Sequence, residues 1–300
     1  MGLEVNLGKL KLQNPITTAS GCFGYGTDFD DFMDLDTLGA ITLKSLTLKP
    51  REGNPTPRVA ETPSGMMNSI GLANCGINEF VDIKLPAIKN LKKVKVIANI
   101  AGHTIEENAE LAETLDAQER VDAIELNISC PNVDAGGLAF CQDMNQLKIL
   151  MREVRAKTNK PLIVKLAVNV PDIVSLAQEC EQAGADILSM INTVTGIEVD
   201  IEKRKLFFSR GYAGLSGPAI RPIALKAVYD VSRVVKLPII GMGGIATIED
   251  VVKFMMVGAT AVSIGMMNFV EPDISQRLAK GLAEYLSQRK MTIKDLVLAD

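Results

Sequence analysis

Eight short apolar runs, rich in isoleucine, valine and leucine, recur along the 300-residue chain. They are largely apolar rather than alternating with polar residues, which is typical of strands buried on both faces of a parallel sheet. Most are followed by a polar or glycine-bearing loop and then by a segment with helical spacing. The runs lie at residues 15–20, 40–45, 94–100, 123–129, 161–167, 186–193, 237–244 and 261–266.

Helix signals lie between several of these runs. Thr104 with Glu107, and Thr247 with Asp250, have the spacing of an N-capping hydroxyl followed three residues later by an acid. They precede amphipathic stretches at 106–115 and 249–257. Eight β-then-α units in a chain of this length favour a closed (β/α)₈ TIM barrel over an open doubly wound sheet. We therefore predict a single domain over residues 1–300.

Three segments do not fit simple strand–helix units. Residues 4–14 alternate about a Gly-Lys turn, which predicts a small β-hairpin that plugs the barrel floor. The connections at 47–78 and 194–217 are longer than ordinary βα loops, and long loops in a compact domain are usually functional. In a parallel barrel both would project from the C-terminal face, where catalysis takes place.

Charge and composition narrow the function. The 32 Lys and Arg against 36 Asp and Glu give a net charge of −4, so no basic surface for nucleic acid is expected. The longest uncharged stretches, 62–78 and 254–270, are too polar for a membrane span. An acid at Glu4 argues against a signal peptide, and five widely spaced cysteines indicate reduced thiols, so we expect a cytoplasmic protein.

A glycine-rich turn at 241–246 follows the seventh run and fits the G-x-G-x-x-A dinucleotide pattern. That pattern requires an acid about 20 residues later, where this chain has apolar residues and Ser263. The turn instead indicates backbone N–H groups aimed at an anion, together with residues 263–266 on the next strand. The alternative is that these glycines only form tight turns.

Polar side chains stand near the ends of the apolar runs, at the expected catalytic rim: Lys44, Ser45, Asn99, Asn127, Lys165, Asn192 and Thr193. A lysine within a buried strand must be paired or neutral, because desolvating an ammonium is costly. Lys165 is therefore expected to face an anion, a carboxylate or a Schiff-base carbonyl, with a structural Lys–acid pair as the alternative. The asparagine amides suit a heterocycle with carbonyl and imide edges.

Cys130 differs from the other cysteines by its position just beyond the fourth run. Cys180 is interpreted as an inert buried thiol, and Cys22, Cys75 and Cys141 are given the same interpretation. The single histidine, His103, lies outside any recognisable triad pattern and cannot form a histidine-rich metal site. If Cys130 acts, we expect it to accept a proton beside a flavin or carbonyl.

With these positions assembled, the chain closely resembles the catalytic subunits of class 1B dihydroorotate dehydrogenases, FMN-containing barrels of pyrimidine biosynthesis. The matching segments are 19–24, 53–58, 68–72, 127–132, 214–218 and 241–245. A cysteine at position 130 resembles the soluble class 1 enzymes, since class 2 has serine there. The Gly136-Gly137 loop and the run at 214–219 are similar to the B type.

The resemblance implies a full set of site residues. Those expected around FMN are Ser20, Lys44, Ser45, Asn99, Asn127, Lys165, Ile191, Gly217, Gly243, Gly244, Gly265 and Met266. Those expected to hold dihydroorotate or orotate are Lys44, Asn68, Ser69, Ile70, Gly71, Leu72, Asn127, Asn132, Asn192 and Thr193. Cys130 and Lys165 are the expected catalytic residues.

The resemblance also implies a mechanism and a partner. Cys130 would remove the C5 proton of dihydroorotate while C6 delivers hydride to flavin N5, and Lys165 would stabilise the negative charge on the reduced ring. Electrons would reach NAD⁺ through a second subunit carrying FAD and a [2Fe-2S] cluster, since this chain lacks clustered cysteines. A dimer of heterodimers is expected.

Two other functions remain open from the residues themselves. A barrel aldolase or isomerase would use Lys165 as a Schiff-base amine and the glycine turns for a substrate phosphate. A non-catalytic binding or scaffold subunit would have neither flavin nor turnover.

Overall fold

A computed structural model describes residues 2–128 and 143–298. Within these ranges the eight apolar runs all form strands, and the eight strands close into one parallel barrel, so the predicted TIM barrel is confirmed. In barrel order they are β3 (Ile16–Thr18), β4 (Ala40–Thr42), β7 (Lys95–Ile100), β8 (Ala123–Asn127), β9 (Leu162–Leu166), β10 (Ile187–Met190), β15 (Ile239–Met242) and β16 (Ala261–Ile264).

Helices follow the barrel strands and cover their outer face, where one apolar cluster joins strands and helices. In chain order the helices of the described ranges are α1 (Gly76–Glu79), α2 (Leu85–Ala87), α3 (Ile105–Asp116), α4 (Met144–Lys157), α5 (Ile173–Gln182), α6 (Arg221–Ser232), α7 (Ile248–Met256), α8 (Met267–Val270) and α9 (Ile274–Arg289), with a π-helical turn at Phe80–Lys84 and 3₁₀ turns at Leu35–Thr37, Pro218–Ile220 and Ile293–Asp295. None of them has the length and apolar character that a bilayer crossing requires.

The two capping signals begin helices as predicted. The Thr104 hydroxyl accepts a hydrogen bond from the Glu107 backbone N–H at 3.2 Å, at the start of α3. Thr247 and Asp250 form a reciprocal capping box at the start of α7. Each pair satisfies backbone donors that the first helical turn leaves unbonded, which fixes where the helix begins.

Inward-facing side chains of the barrel fall into five layers of four. Neighbouring parallel strands are displaced by about one residue per strand, so each layer takes its four residues from alternate strands. From the N-terminal end the layers are Ala40, Ala123, Ile187 and Ala261; Thr17, Ile97, Ile163 and Ile240; Thr42, Glu125, Ser189 and Ser263; Ala19, Asn99, Lys165 and Met242; and Lys44, Asn127, Ile191 and Gly265.

An antiparallel hairpin closes the N-terminal end, as predicted. Its strands, β1 (Val5–Leu7) and β2 (Leu10–Leu12), are joined by the Gly8-Lys9 turn. The apolar side chains of both strands are buried in one cluster with the first two barrel layers. The three alanines of the first layer leave room for this plug, so the lower barrel is a packed apolar core.

The two long connections at the C-terminal end of the barrel, 47–78 and 194–217, pair with each other to form a second sheet. The strands are β5 (Val59–Thr62), β6 (Gly65–Asn68), β11 (Val194–Gly196) and β14 (Ala213–Ser216), in the order β11-β14-β6-β5. Leu215 of β14 pairs with Met67 of β6 across 148 positions of sequence. A short hairpin of β12 (Val199–Asp200) and β13 (Lys205–Leu206) extends from the second connection. These segments form a wall above the C-terminal mouth of the barrel.

Candidate active site

A cavity of about 400 Å³ opens at the C-terminal end of the barrel. Its floor is the fourth layer, of which Ala19, Lys165 and Met242 line the cavity, and the whole fifth layer also lines it. Residues of β5, β6 and β14 contribute to its lining from the second sheet. The cavity therefore lies where the carboxyl ends of the strands meet, which is the catalytic face of barrels with this fold.

Most of the residues predicted from the sequence meet in this cavity. Of the expected cofactor residues, those that line it are Ser20, Lys44, Ser45, Asn127, Lys165, Ile191, Gly217, Gly243, Gly244, Gly265 and Met266. Of the expected substrate residues, those that line it are Lys44, Asn68, Ile70, Gly71, Leu72, Asn127, Asn192 and Thr193. Their roles stay predictions, because the cavity lining fixes position and not function.

Lys165 is the buried cation at the cavity floor. It lies on β9 in register with Asn127 of β8 and Ser189 of β10, and the residue is 5% exposed. Within residues 2–128 and 143–298 its ammonium makes no hydrogen bond or ion pair. The alternative prediction, a structural Lys–acid pair, is thus not realised in the described part of the chain. A buried ammonium of this kind is suited to a negatively charged ligand group.

Cys22 lies beside two cations. Burial raises the pKa of the Cys22 thiol, while the charges of Lys165 and Lys44 act in the opposite direction. A methyl group built on Gly265 would come within 3.8 Å of the Cys22 sulfur. Cys22 therefore lines the cavity, and the prediction that it is buried in the core is wrong. Cys180, by contrast, is a fully buried residue of α5, as expected.

Glycine turns form the side of the cavity after β15. Gly243 and Gly244 have φ of 127° and 75°, which favours glycine. A Cβ at Gly243 would approach the Ala224 Cβ to 2.8 Å, and one at Gly244 would approach the Gly217 oxygen to 2.7 Å. Within the described ranges the backbone N–H groups of Gly243 and Gly244 donate to no acceptor. The turn is built for close approach of an anion.

A buried hydrogen-bond network lies directly beneath the cavity. The Glu125 carboxylate accepts from Asn99 Nδ2 at 2.6 Å and from the Ser189 hydroxyl at 2.7 Å. All three residues are at most 2% exposed. Asn99, expected to contact FMN directly, is thus in the floor layer but is not among the residues that line the cavity.

Ser69 is also absent from the lining within the described residues. Ser69 is 1% exposed, and its hydroxyl accepts from Asn54 Nδ2 at 3.0 Å. Its neighbours Asn68 and Ile70 line the cavity, and alternation along an extended segment turns Ser69 to the opposite side. Cys130 and Asn132 lie outside the described residues.

Sequence reasoning missed several residues that line the cavity: Cys22, Val59, Met66, Ser216, Ile220, Met242, Ile245, Met267 and Phe269. Cys22 follows the predicted strand at 15–20 by two positions, which could have signalled its place. The side chains from β5, β6 and β14 gave no such signal, because their place depends on pairing between two distant loops. Among the residues described, no group of three or more His, Cys, Asp or Glu could hold a metal ion.

Comparison with known proteins decides the family. The dihydroorotate dehydrogenase family model matches residues 2–286. The chain is 48% identical over 296 residues to the dihydroorotate dehydrogenase B (NAD(+)) catalytic subunit of Geotalea daltonii, covering 98% of this chain and 97% of the relative. This chain belongs to the dihydroorotate dehydrogenase family. The equivalent subunit of Trichlorobacter lovleyi is 50% identical over 287 residues, or 96% and 94% of the two chains.

A solved dihydroorotate dehydrogenase structure shares the fold. The crystal structure of DHODH in complex with ferulenol from Eimeria tenella superimposes with a TM-score of 0.81 at 22% identity, covering 98% of this chain and 87% of that one. Family membership makes the chain an oxidoreductase, which argues against both the aldolase and the scaffold alternatives.

Members of the dihydroorotate dehydrogenase family are FMN-dependent, and the cavity fits that cofactor. FMN needs a phosphate site, a cation near its ring and polar groups for its imide edge. The Gly243-Gly244 turn supplies unbonded N–H groups, and Lys165 supplies the cation. Asn99 Oδ1 is buried without a hydrogen-bond partner in the described structure, as an acceptor reserved for a ligand donor would be.

Proposed function

We propose that this chain oxidises (S)-dihydroorotate to orotate with FMN bound in the barrel cavity, in pyrimidine biosynthesis. The observation that carries the proposal is the combination of Lys165, a buried ammonium that makes no bond in the described ranges, with a glycine turn at the other side of one cavity. One site thus offers a cation for a ring and backbone N–H groups for a phosphate.

The phosphate of FMN would be held by the turns around Gly243 and Gly265. The volume of about 400 Å³ is in the usual range for sites of small ligands. The Ser20 and Ser45 hydroxyls lie 3.2 Å apart at the cavity wall and supply polar contacts for the ring. Bound FMN supplies the hydride acceptor for the reaction.

Dihydroorotate would lie between the barrel mouth and the second sheet. Its carboxylate and imide groups call for cations and amides, which Lys44, Asn68, Asn127 and Asn192 provide at the cavity lining. Asn68 is anchored, since its Nδ2 donates to the Gly214 oxygen at 3.3 Å. Pairing of β6 with β14 therefore positions a substrate-binding amide from one loop with the help of the other.

The reaction removes a proton from C5 and a hydride from C6, and a C5–C6 double bond forms. Cys130, which the family resemblance assigns as the base, would take the C5 proton onto its sulfur. Lys165 would hold its ammonium at the floor and compensate the negative charge that the ring gains with the hydride. Because the thiolate is the base, oxidation should slow as pH falls below the thiol pKa, about 8.5 for a free cysteine.

Electrons would leave for NAD⁺ through a partner subunit that carries FAD and a [2Fe-2S] cluster. The names of the relatives, NAD(+)-linked catalytic subunits, support this route. The five cysteines of this chain are too widely spaced for a cluster site of its own. We propose a dimer of heterodimers as the assembly, located in the cytoplasm.

Replacement of the base tests the chemistry. Cys130→Ala should lower the rate of dihydroorotate oxidation by about 10²–10⁴-fold, the usual contribution of a general base. Bound FMN should be retained, which the flavin absorbance of the purified variant measures. Turnover close to that of the wild type would remove Cys130 from the mechanism.

The electron acceptors that the purified chain can reduce test whether a partner subunit is needed for the reaction with NAD⁺. The purified chain should reduce an artificial dye with dihydroorotate but should reduce NAD⁺ barely at all. Efficient NAD⁺ reduction by the chain in the absence of any other subunit would contradict the proposed electron route.

A further inference from the structure

The third barrel layer consists entirely of polar residues, although it lies inside the barrel. Thr42, Glu125, Ser189 and Ser263 are all at most 5% exposed. The two layers beneath it are apolar apart from Thr17, whose hydroxyl donates to the Val262 oxygen. Bulky branched residues usually fill such a layer. Burying a carboxylate in this layer is costly, because each of its hydrogen bonds to water must be replaced. Such a residue therefore suggests a functional role.

Two cationic side chains share the barrel interior above Glu125. Lys165 is in the fourth layer and Lys44 in the fifth, and these are the charged residues that share the described barrel interior with Glu125. Both carboxylate oxygens of Glu125 accept a hydrogen bond, Oε2 from Asn99 Nδ2 and Oε1 from the Ser189 hydroxyl. An ionised carboxylate only accepts hydrogen bonds.

The carboxylate therefore dictates the orientation of the Asn99 side chain. Nδ2 of Asn99 must face Glu125, because only that end of the amide can donate. The oxygen of the amide, Oδ1, then points elsewhere and has no partner in the described part of the chain, although it is fully buried. An acceptor of this kind is costly unless a donor reaches it.

A ligand at the cavity floor is placed to bring that donor. Asn99 shares its layer with Ala19, Lys165 and Met242, which form the floor. The oxidised isoalloxazine ring has a single ring N–H donor, at N3 of its imide edge. Resting on the proposed function, we infer that Glu125 is a positioning residue: it fixes the Asn99 amide so that Oδ1, and not Nδ2, receives the flavin N3–H.

The apoprotein should distinguish between two flavins that differ only at N3. Wild-type apoprotein should bind FMN at least tenfold more tightly than N3-methyl-FMN, with both dissociation constants measured by quenching of flavin fluorescence. This ratio needs no variant, so it tests the inference even if variants fold poorly. Equal affinity of the wild type for the two flavins would overturn the inference.

Glu125→Gln should remove the discrimination. The introduced glutamine has a donor as well as an acceptor, and the Ser189 hydroxyl can bond to either, so Asn99 is no longer held with its oxygen toward the ring. FMN affinity should fall about tenfold, while affinity for N3-methyl-FMN should change less than threefold. A steric effect of the methyl group would keep the wild-type ratio in this variant, and that result would overturn the inference.

A double variant that exchanges the acid and the amide should restore the discrimination between the two flavins. In Glu125→Gln/Asn99→Asp the introduced amide donates to one carboxylate oxygen of residue 99, and the other oxygen again accepts from N3–H. The ratio between the two flavins should return to within threefold of the wild-type value. Failure of a folded double variant to recover it would contradict the orientation argument.

Thr42→Val is the matched control, because Thr42 belongs to the same layer and its side chain makes no hydrogen bond to Asn99 or Glu125. The ratio of its affinities for FMN and N3-methyl-FMN should equal that of the wild type. A fall in this ratio as large as in Glu125→Gln would show that any change in the layer has the same effect, and would overturn the inference. Thermal unfolding of each apoprotein identifies variants that do not fold. Failure of the wild type to bind either flavin would contradict the proposed function itself, so the two failures are distinguishable.

Discussion

The two ends of the barrel interior use the same strands for different purposes. In β9, Ile163 belongs to the second layer and packs against the hairpin cluster, whereas Lys165 belongs to the fourth and faces the cavity. In β8, Ala123 is in the apolar first layer and Asn127 in the cavity lining. Two residues along β9 and four along β8 separate the packed core from the cavity lining, and Glu125 lies between the two regions of β8. Stability and activity should therefore respond separately to changes at the two ends.

The largest effect is expected for Lys165→Met, which keeps the volume of the side chain and removes its charge. Dihydroorotate oxidation should slow by about 10²–10³-fold, the usual cost of losing one preorganised electrostatic group. Stability should not fall, because a buried charge is removed. Steady-state rates with an artificial acceptor and denaturant unfolding measure the two quantities.

Ile163→Val is the matched control on the same strand. It should destabilise the protein by about 1 kcal/mol and leave the oxidation rate within twofold of the wild type. If Lys165→Met were instead as active as Ile163→Val, the separation between the two ends of β9 would not hold.

A smaller effect, on stability alone, is expected for a substitution in the N-terminal hairpin that plugs the barrel. Leu12 is 1% exposed within the hairpin cluster, so Leu12→Ala should lower the free energy of unfolding by about 3 kcal/mol. The turnover of the folded fraction should be unchanged, because the plug lies below the first barrel layer and the cavity floor is the fourth. A variant that is equally stable but catalytically impaired would show that the plug acts on the site.

The smallest effect on stability is expected for Asp36, a carboxylate at the N-terminal end of the barrel. Asp36 accepts backbone hydrogen bonds from Lys92, Lys93 and Val94 just before β7. Burial raises its pKa, but these three N–H donors more than offset that, and the pKa of Asp36 is lowered in the folded state.

The stabilisation by Asp36 is therefore present above the unfolded-state pKa, about 4, and is lost as pH falls through the lower folded-state value. Asp36→Asn should cost about 1 kcal/mol at neutral pH. The difference from the wild type should shrink in strongly acidic solution, as unfolding curves at several pH values would show. A difference that stays constant down to the most acidic pH would contradict the ionic role.

The sequence was sufficient for the barrel because local signals set its elements. Buried parallel strands must be continuously apolar, and the capping pairs at Thr104 and Thr247 mark helix starts within one turn. Polar residues that interrupt such strands are costly to bury unless a site requires them. For this reason Lys44, Asn127 and Lys165 could be assigned to the cavity.

The remaining features depend on contacts between distant segments. The sheet of β11, β14, β6 and β5 joins two loops whose own patterns are weak, so the lining from Met66 and Ser216 was not predictable. The side of an extended segment that faces a cavity depends on register, which is why Ser69 was expected at the site although it faces away from the cavity. Asn99 was assigned to the cofactor, but the sequence did not reveal that its amide nitrogen bonds to Glu125 or that the residue is not part of the lining.

The visible spectrum of the purified protein tests the central claim most directly. If the upper barrel holds FMN for dihydroorotate oxidation, the protein will show flavin absorbance, and anaerobic dihydroorotate will bleach it with one orotate formed per flavin. A colourless protein after supply of FMN, or a flavin spectrum that dihydroorotate leaves unchanged, would contradict the account.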